Sequence, residues 1–192
     1  MQEFFKYFSL LYCAFDPNCA IIYTYAIHKK GGDKMKEFTF LSDAVETTEN
    51  LGASLAEAIV ETMPKTPCFV ALYGDLGAGK TAFVRGFASV LSPLSRVKSP
   101  TYTVVNEYRR GDFPLFHFDL YRMEDADSLD SIGFDEYLKT GICIAEWSEH
   151  LGDRIPDNLL SVTITKTGET ARKIVMRLPD NIALSPERSS PC

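Results

Sequence analysis

The stretch that decides the fold is Cys68-Phe69-Val70-Ala71-Leu72-Tyr73-Gly74-Asp75-Leu76-Gly77-Ala78-Gly79-Lys80-Thr81. It opens with a continuous apolar run of strand length, which indicates a strand buried on both faces. It closes with the pattern G-x-x-x-x-G-K-[ST], and a helix-like apolar segment follows at residues 82–91. A strand, a glycine-rich loop and a helix in this order predict a phosphate-binding loop (P-loop).

The residue types in this loop suit nucleotide phosphates. Glycines let the backbone curl so that successive N–H groups point at phosphate oxygens, and the helix N-terminus adds its positive end. Lys80 supplies a cation for the β- and γ-phosphates, and the Thr81 hydroxyl is a ligand for Mg²⁺. The predicted nucleotide contacts are Asp75, Leu76, Gly77, Ala78, Gly79, Lys80, Thr81 and Ala82.

Two carboxylates follow apolar runs and are candidates for the acids of such a site. Asp119 ends the run Leu115-Phe116-His117-Phe118, and Glu146 ends Ile142-Cys143-Ile144-Ala145. Acidic residues at the ends of neighbouring strands face the magnesium ion in P-loop proteins. The alternative for each is a solvated carboxylate at a strand end. Since strand side chains alternate, His117 lies on the same side as Asp119, and we expect it to make an orienting hydrogen bond rather than act as a general base.

Composition limits the class of protein. A chain of 192 residues, 45% of them hydrophobic and 24% charged, fits one globular domain. A net charge of −6 speaks against a dedicated binder of nucleic acid or membrane surfaces. The apolar stretch at residues 4–15 contains Lys6 and is too short for a membrane span. Five cysteines without a C-x-x-C pair indicate neither a disulfide framework nor a zinc site, which favours a cytoplasmic location.

The domain organisation is predicted in three parts. Residues 1–34 are an atypical, aromatic-rich extension that ends in a polar linker at 29–34, and Met35 is interpreted as the true start. Residues 35–180 form the P-loop domain. Residues 181–192 are rich in Ser and Pro and are predicted to be a disordered tail.

Periodicity predicts an α/β fold, a P-loop NTPase-like three-layer sandwich with a mixed central sheet. A helix of about five turns is expected to start near Asp43 and Glu46, which form a plausible N-terminal cap. Strands are expected at residues 102–108 and 115–121 around a turn at Gly111-Asp112, and at 142–145. Alternating residues at 159–165 and 173–178 predict a closing C-terminal β-hairpin.

Four motifs in this order resemble the TsaE (YjeE) family. They are the loop at 74–81, Ser99-Pro100-Thr101-Tyr102-Thr103-Val104-Val105-Asn106-Glu107-Tyr108, Phe116-His117-Phe118-Asp119-Leu120-Tyr121-Arg122 and Ala145-Glu146-Trp147. The similarity covers residues 35–178. The leader before Met35 departs from the family pattern, and Tyr102 stands where Phe is more usual.

The resemblance implies a small bacterial ATPase, using ATP and Mg²⁺, that is needed to make threonylcarbamoyladenosine in tRNA together with the TsaB and TsaD proteins. Indirect or transient contact with tRNA stays open. The implied roles are phosphate binding for Lys80, Mg²⁺ binding for Thr81, a Walker B type acid for Asp119 and a magnesium-associated or catalytic acid for Glu146. Trp147 would lie beside the nucleotide.

The resemblance also implies that Thr101 and its neighbours form a switch-like segment that senses the γ-phosphate. Two other function classes stay open: a P-loop kinase of a small metabolite, and a nucleotide-binding regulatory module without significant turnover. No arginine finger is obvious, although Arg85 or Arg122 could serve. ATP is preferred over GTP because Thr165-Lys166-Thr167-Gly168 lacks the aspartate of a guanine-binding segment. A basic cluster, Arg96, Lys98, Arg109 and Arg110, is taken by default as solvated surface, and contact with phosphate, a partner protein or tRNA stays open.

Overall fold

The structure, a computed structural model, describes residues 9–10, 24–30, 33–123, 126–156 and 159–184. The strands in these ranges are β1 (Ser9–Leu10), β2 (Thr24–Lys30), β3 (Asp33–Ser42), β4 (Cys68–Tyr73), β5 (Val105–Tyr108), β6 (Leu115–Asp119), β7 (Ile142–Glu146), β8 (Leu160–Lys166) and β9 (Arg172–Pro179). The α-helices are α1 (Val45–Thr62), α2 (Lys80–Leu91), α3 (Ala126–Ser131) and α4 (Phe134–Thr140), and a 3₁₀ segment spans Ser148–Arg154.

All of these strands join one mixed sheet in the order β1-β2-β3-β9-β8-β4-β7-β6-β5. The central strand β4 pairs in parallel with β7 on one side and with β8 on the other, and β6 is parallel to β7. The outer pairs β8–β9, β3–β9 and β5–β6 are antiparallel. The predicted mixed sheet and closing hairpin are therefore confirmed.

Helical layers cover both faces of the sheet, as the alternation along β4 requires. Val70 and Leu72 of β4 pack in the cluster that also contains the buried residues of α1 and α2. Phe69 and Ala71 point the other way, into a cluster with the residues of α3, α4 and the 3₁₀ segment. Because successive strand side chains face opposite sides, a strand buried on both faces has to be apolar throughout. This confirms the three-layer α/β fold.

Helices α1 and α2 touch backbone to backbone. A Cβ atom on Gly86 would lie 1.7 Å from the carbonyl oxygen of Glu49, and one on Gly52 would lie 2.1 Å from that of Phe83. No larger residue fits at either position without moving a helix. This close crossing fixes the position of α2, which begins at Lys80.

Two local predictions were wrong. Helix α1 is preceded by Ala44 without a side-chain cap. The predicted cap fails because the N-cap position falls on Ala44, one residue after Asp43, whose carboxylate only reaches the Thr47 hydroxyl. The strand predicted at 102–108 starts only at Val105, because the N–H group of Val104 bonds to Pro100 in a turn. Val104 has a φ of 64°, which is strained for a β-branched residue.

Described structure extends beyond the predicted domain limits at both ends, as sheet at the N-terminal limit and as a buried core residue at the C-terminal one. Strand β2 pairs with β3 from Thr24↔Thr39 to Lys30↔Asp33, so the described part of 29–34 is strand rather than linker. At the other end, Ile182 is buried in the core. The limits at 34 and 180 stay predictions, and most of the predicted tail, residues 185–192, lies outside the described residues.

Candidate functional site

The glycine-rich loop (residues 74–81) leaves β4 after Tyr73 and runs into α2 at Lys80. Its glycines take backbone angles that other residues avoid, with φ of 140° at Gly74, 73° at Gly77 and 113° at Gly79. Gly74 is further restricted because a Cβ atom there would lie 2.3 Å from the carbonyl oxygen of Ile164. The predicted strand, loop and helix are all present, with the positive end of α2 at the loop.

Lys80 is held inside this loop. It is only 5% exposed, and its ammonium group donates to the carbonyl oxygen of Gly74 and, at 3.1 Å, to that of Asp75. Its Nζ atom also lies 3.6 Å from the centroid of the Trp147 ring, in a cation–π arrangement. Burial lowers the pKa of Lys80, and the nearby carboxylates, Glu146 foremost, act in the opposite direction. The backbone of the glycine-rich loop therefore surrounds the ammonium group of Lys80.

Glu146 ends β7 and is 4% exposed. Thr81 donates its hydroxyl to both carboxylate oxygens, at 2.9 Å to Oε1 and 3.2 Å to Oε2. His117 Nε2 lies 3.0 Å from Oε1. The structure therefore brings together three of the predicted residues, Lys80, Thr81 and Glu146, in one polar cluster at the start of α2.

Asp119 ends β6 directly opposite Glu146 in the parallel ladder. Its Oδ2 atom accepts hydrogen bonds from the hydroxyls of Thr101, at 2.7 Å, and Ser99, at 2.9 Å. The backbone N–H of Tyr121 donates to Oδ1 at 3.2 Å. The segment with the predicted switch residue Thr101 is therefore attached to the acid predicted for the magnesium ion.

The remaining predicted contacts line the loop and its rim. Asp75, Leu76 and Gly77 are exposed, whereas the side chains of Ala78 and Ala82 are buried against the core. Backbone amides, and not these two side chains, would thus meet phosphate oxygens.

Of the two arginines considered as fingers, Arg85 forms an ion pair with Glu49 at 2.8 Å. The guanidinium of Arg122 lies 4.9 Å from the centroid of the Tyr102 ring, and Tyr102 is 87% exposed.

Sequence reasoning missed Arg172, the first residue of β9. Its guanidinium donates to the loop carbonyls of Ala78, at 2.8 Å, and Gly77, at 3.3 Å. It also donates to the β8–β9 turn, at 2.9 Å to the carbonyl oxygen of Ala171. Nothing in a lone arginine beside a hairpin turn signals a contact with residues more than ninety positions earlier. Arg172 ties the closing hairpin to the glycine-rich loop.

The donor set suits Mg²⁺ that arrives with a nucleotide. In the part of the chain that the structure describes, no three His, Cys, Asp or Glu side chains form a group that could hold a metal ion. Mg²⁺ is usually bound by one or two carboxylates together with substrate phosphates and water. The Thr81 hydroxyl and the carboxylates of Glu146 and Asp119 offer this kind of set.

No helix in the described ranges is long and apolar enough to cross a membrane.

Fold and site together define a protein of the P-loop NTPase-like α/β class. The family profile described as "Threonylcarbamoyl adenosine biosynthesis protein TsaE" matches residues 42–174. This chain therefore belongs to the TsaE family of tRNA threonylcarbamoyladenosine biosynthesis proteins, as its motifs predicted.

Similar proteins agree with this assignment. The tRNA threonylcarbamoyladenosine biosynthesis protein TsaE of Bacillus subtilis strain 168 is 41% identical over 111 residues, 57% of this chain and 69% of that protein. The protein of the same name from Haemophilus influenzae is 40% identical over 114 residues, 59% of this chain and 72% of that protein. The crystal structure of Bacillus subtilis YdiB superposes with a TM-score of 0.62 at 31% identity, over 77% of this chain and 88% of that one.

Proposed function

We propose that this chain binds ATP with Mg²⁺ and hydrolyses it in support of threonylcarbamoyladenosine formation in tRNA, acting with the TsaB and TsaD proteins. Turnover is slow for the chain alone and is raised by these partners. We place the reaction in the cytoplasm, and contact with tRNA is indirect or transient. Membership of the family supports the pathway, and the site described above supports the use of ATP.

The observation that carries the ATPase proposal is the hydrogen bond between Thr81 and Glu146. These side chains lie 65 positions apart in sequence, on α2 and β7, and meet at 2.9 Å beside the buried Lys80. A hydroxyl and a carboxylate at the positive end of a helix, next to a cation, meet the needs of a metal-bound triphosphate. A glycine-rich turn without a ligand gives no reason to bury Lys80 and Glu146 and to place the half-buried Thr81 hydroxyl beside them.

Each residue has a part that follows from its position. The amides of residues 77–81 and the Lys80 ammonium bind the phosphate oxygens, while Thr81, Glu146 and Asp119 would hold the magnesium ion. When bound, Mg²⁺ neutralises charge on the phosphates. Glu146 accepts hydrogen bonds at the end of β7 and would orient the attacking water. Trp147 covers Lys80 and shields it from solvent.

Dependence on partners is supported by the arginines. Stabilising the developing charge in phosphoryl transfer commonly needs an arginine, supplied by the same chain or by a partner. Arg85 is engaged with Glu49 at the surface of the two helices, and Arg122 stacks on the exposed Tyr102. Both are already engaged, which favours a group supplied by a partner.

The test is ATP turnover by the full chain, alone and with TsaB, TsaD and tRNA. Lys80→Ala and Glu146→Gln are expected to lower partner-dependent turnover roughly 100-fold or more, with ATP binding retained in Glu146→Gln. The matched control is Glu136→Gln, the same chemical change on a surface carboxylate that pairs with Lys139.

Two results would contradict the proposal. Negligible turnover with and without partners, despite tight ATP binding, would favour the regulatory module. Phosphoryl transfer from ATP to an added metabolite, with water excluded as acceptor, would favour the kinase. Both experiments use the same preparations and the same control variant.

A further inference from the structure

His117 is a fully buried polar residue that contacts Glu146 from the neighbouring strand. It lies in the middle of β6, and its Nε2 atom is 3.0 Å from Glu146 Oε1. The ladder explains the contact: His117 pairs with Ile144 and Asp119 pairs with Glu146, so His117 and Glu146 are diagonal neighbours on one face of the sheet. The contact is therefore set by strand register rather than by a flexible loop.

The contact restrains one particular oxygen of the carboxylate. Because a carboxylate only accepts hydrogen bonds, Nε2 of His117 carries the hydrogen that is donated to Oε1. The other ring nitrogen, Nδ1, is buried and has no hydrogen-bond partner among the described residues. A buried ring with one unpaired nitrogen is costly, and a leucine there would avoid that cost. The hydrogen bond donated by Nε2 is therefore a reason for a histidine to stand here despite the unpaired Nδ1 atom.

We propose that His117 is a positioning residue that holds Glu146 in its working orientation, an inference that rests on the proposed ATPase function. Thr81 also donates to Glu146, but its hydroxyl would turn toward a bound magnesium ion. His117 is then the donor that remains on Oε1. It fixes the carboxylate at the start of α2, where the Thr81 hydroxyl lies 2.9 Å from Oε1 and 3.2 Å from Oε2 and the phosphates would bind.

Three substitutions separate this role from a merely structural one. His117→Gln places an amide N–H at about the distance from Cα that Nε2 has, so it retains the donor. His117→Asn is polar but too short to reach Glu146, and His117→Leu fills the space without a donor. The readouts are kcat and KM for ATP with partners present, the melting temperature, and the ratio of ATP dissociation constants without and with Mg²⁺.

The expected result is a fall in kcat of about 10- to 100-fold for His117→Leu and His117→Asn, the range found when a group that orients a metal-site ligand is removed. The KM for ATP should rise by no more than the factor by which Mg²⁺ stimulation of ATP binding falls, and His117→Gln should recover most of the kcat. The stimulation of ATP binding by Mg²⁺ should fall in the same two variants. If His117→Leu does not fold, the comparison of Asn with Gln decides.

Two outcomes would overturn the inference: wild-type kcat in His117→Leu, or an equal loss in His117→Gln and His117→Leu at equal melting temperature. The Mg²⁺ ratio separates this failure from failure of the proposed function. If the intact chain with its partners does not turn over ATP, the ATPase proposal fails. The ratio alone then decides whether His117 orients Glu146: a loss in Leu and Asn with recovery in Gln supports it, and equal ratios in all variants overturn it.

Discussion

Removing the guanidinium of Arg172 should loosen the glycine-rich loop and weaken ATP binding. Arg172 belongs to β9, yet it donates hydrogen bonds to the carbonyl oxygens of Gly77 and Ala78. Arg172→Ala deletes both bonds and leaves the backbone of α2 and β4 in place. The nucleotide itself would then have to order the loop, and the free energy of this ordering would reduce the binding free energy of ATP.

The size of the effect follows from the two contacts. A hydrogen bond to a charged group contributes about 1.5–3 kcal/mol. The bond to Ala78 measures 2.8 Å and is partly buried, whereas the bond to Gly77 measures 3.3 Å and is exposed, so water weakens it. We therefore expect a loss of about 2 kcal/mol, which corresponds to roughly a 30-fold weaker dissociation constant for ATP.

Trp147 provides the assay. It is the one tryptophan of the chain, and its ring lies 3.6 Å from Lys80 Nζ, so its fluorescence should report nucleotide binding. Titrations with ATP would compare wild type with Arg172→Ala and with Arg177→Ala, an arginine of the same strand that pairs with Glu37 at the surface. The reasoning is refuted if Arg172→Ala binds ATP within threefold of wild type, or no worse than Arg177→Ala.

Three further predictions concern stability and are measured by urea unfolding. Gly86→Ala puts a methyl group against the Glu49 backbone and should cost about 3 kcal/mol; an unchanged midpoint would contradict the backbone contact. Tyr108→Phe removes a buried hydroxyl that has no partner among the described residues, so stability should stay level or rise by about 1 kcal/mol, and a clear loss would reveal a bond. The Tyr137 hydroxyl lowers the pKa of Glu107. Its contribution to the free energy of unfolding is therefore fully present above the ordinary pKa of a glutamate and is lost as the pH falls through the lowered pKa of Glu107. Tyr137→Phe should cost about 0.5 kcal/mol at pH 7, less at pH 3, and a difference that grows in acid would reverse the sign.

The parts of the fold that were predictable from sequence rest on signals within a few residues of one another. The apolar run of β4, the glycines after it and the alternation in β8 and β9 each identify their own element without reference to the rest of the chain. The same holds for Asp119 and Glu146, since each ends an apolar run. Where local preference and tertiary packing agree, sequence alone is sufficient.

Of the features that sequence did not predict, two are local conformations that run against residue preference, and one depends on a contact between distant segments. The start of β5 was misplaced because Val104 takes a left-handed conformation, which its β-branched side chain disfavours. The Asp43 cap was wrong because the N-cap position falls on Ala44, one residue later. Arg172 reaches the loop only because β9 lies next to β8, which in turn lies next to β4. No window of sequence contains both ends of such a contact.

The sheet itself explains why the site forms at the carboxyl ends of the parallel strands. Parallel pairing aligns Leu72 with Glu146 and Glu146 with Asp119, so β4, β7 and β6 end at the same level. The loop after β4 and the two acids therefore meet without any special turn, as is general for the carboxyl ends of parallel strands. The antiparallel strands add restraint instead, since β9 carries the arginine that holds the loop. Substituting Arg172 in β9 should accordingly weaken nucleotide binding, whereas substituting the acid at the end of β7, Glu146, should abolish turnover with ATP binding retained.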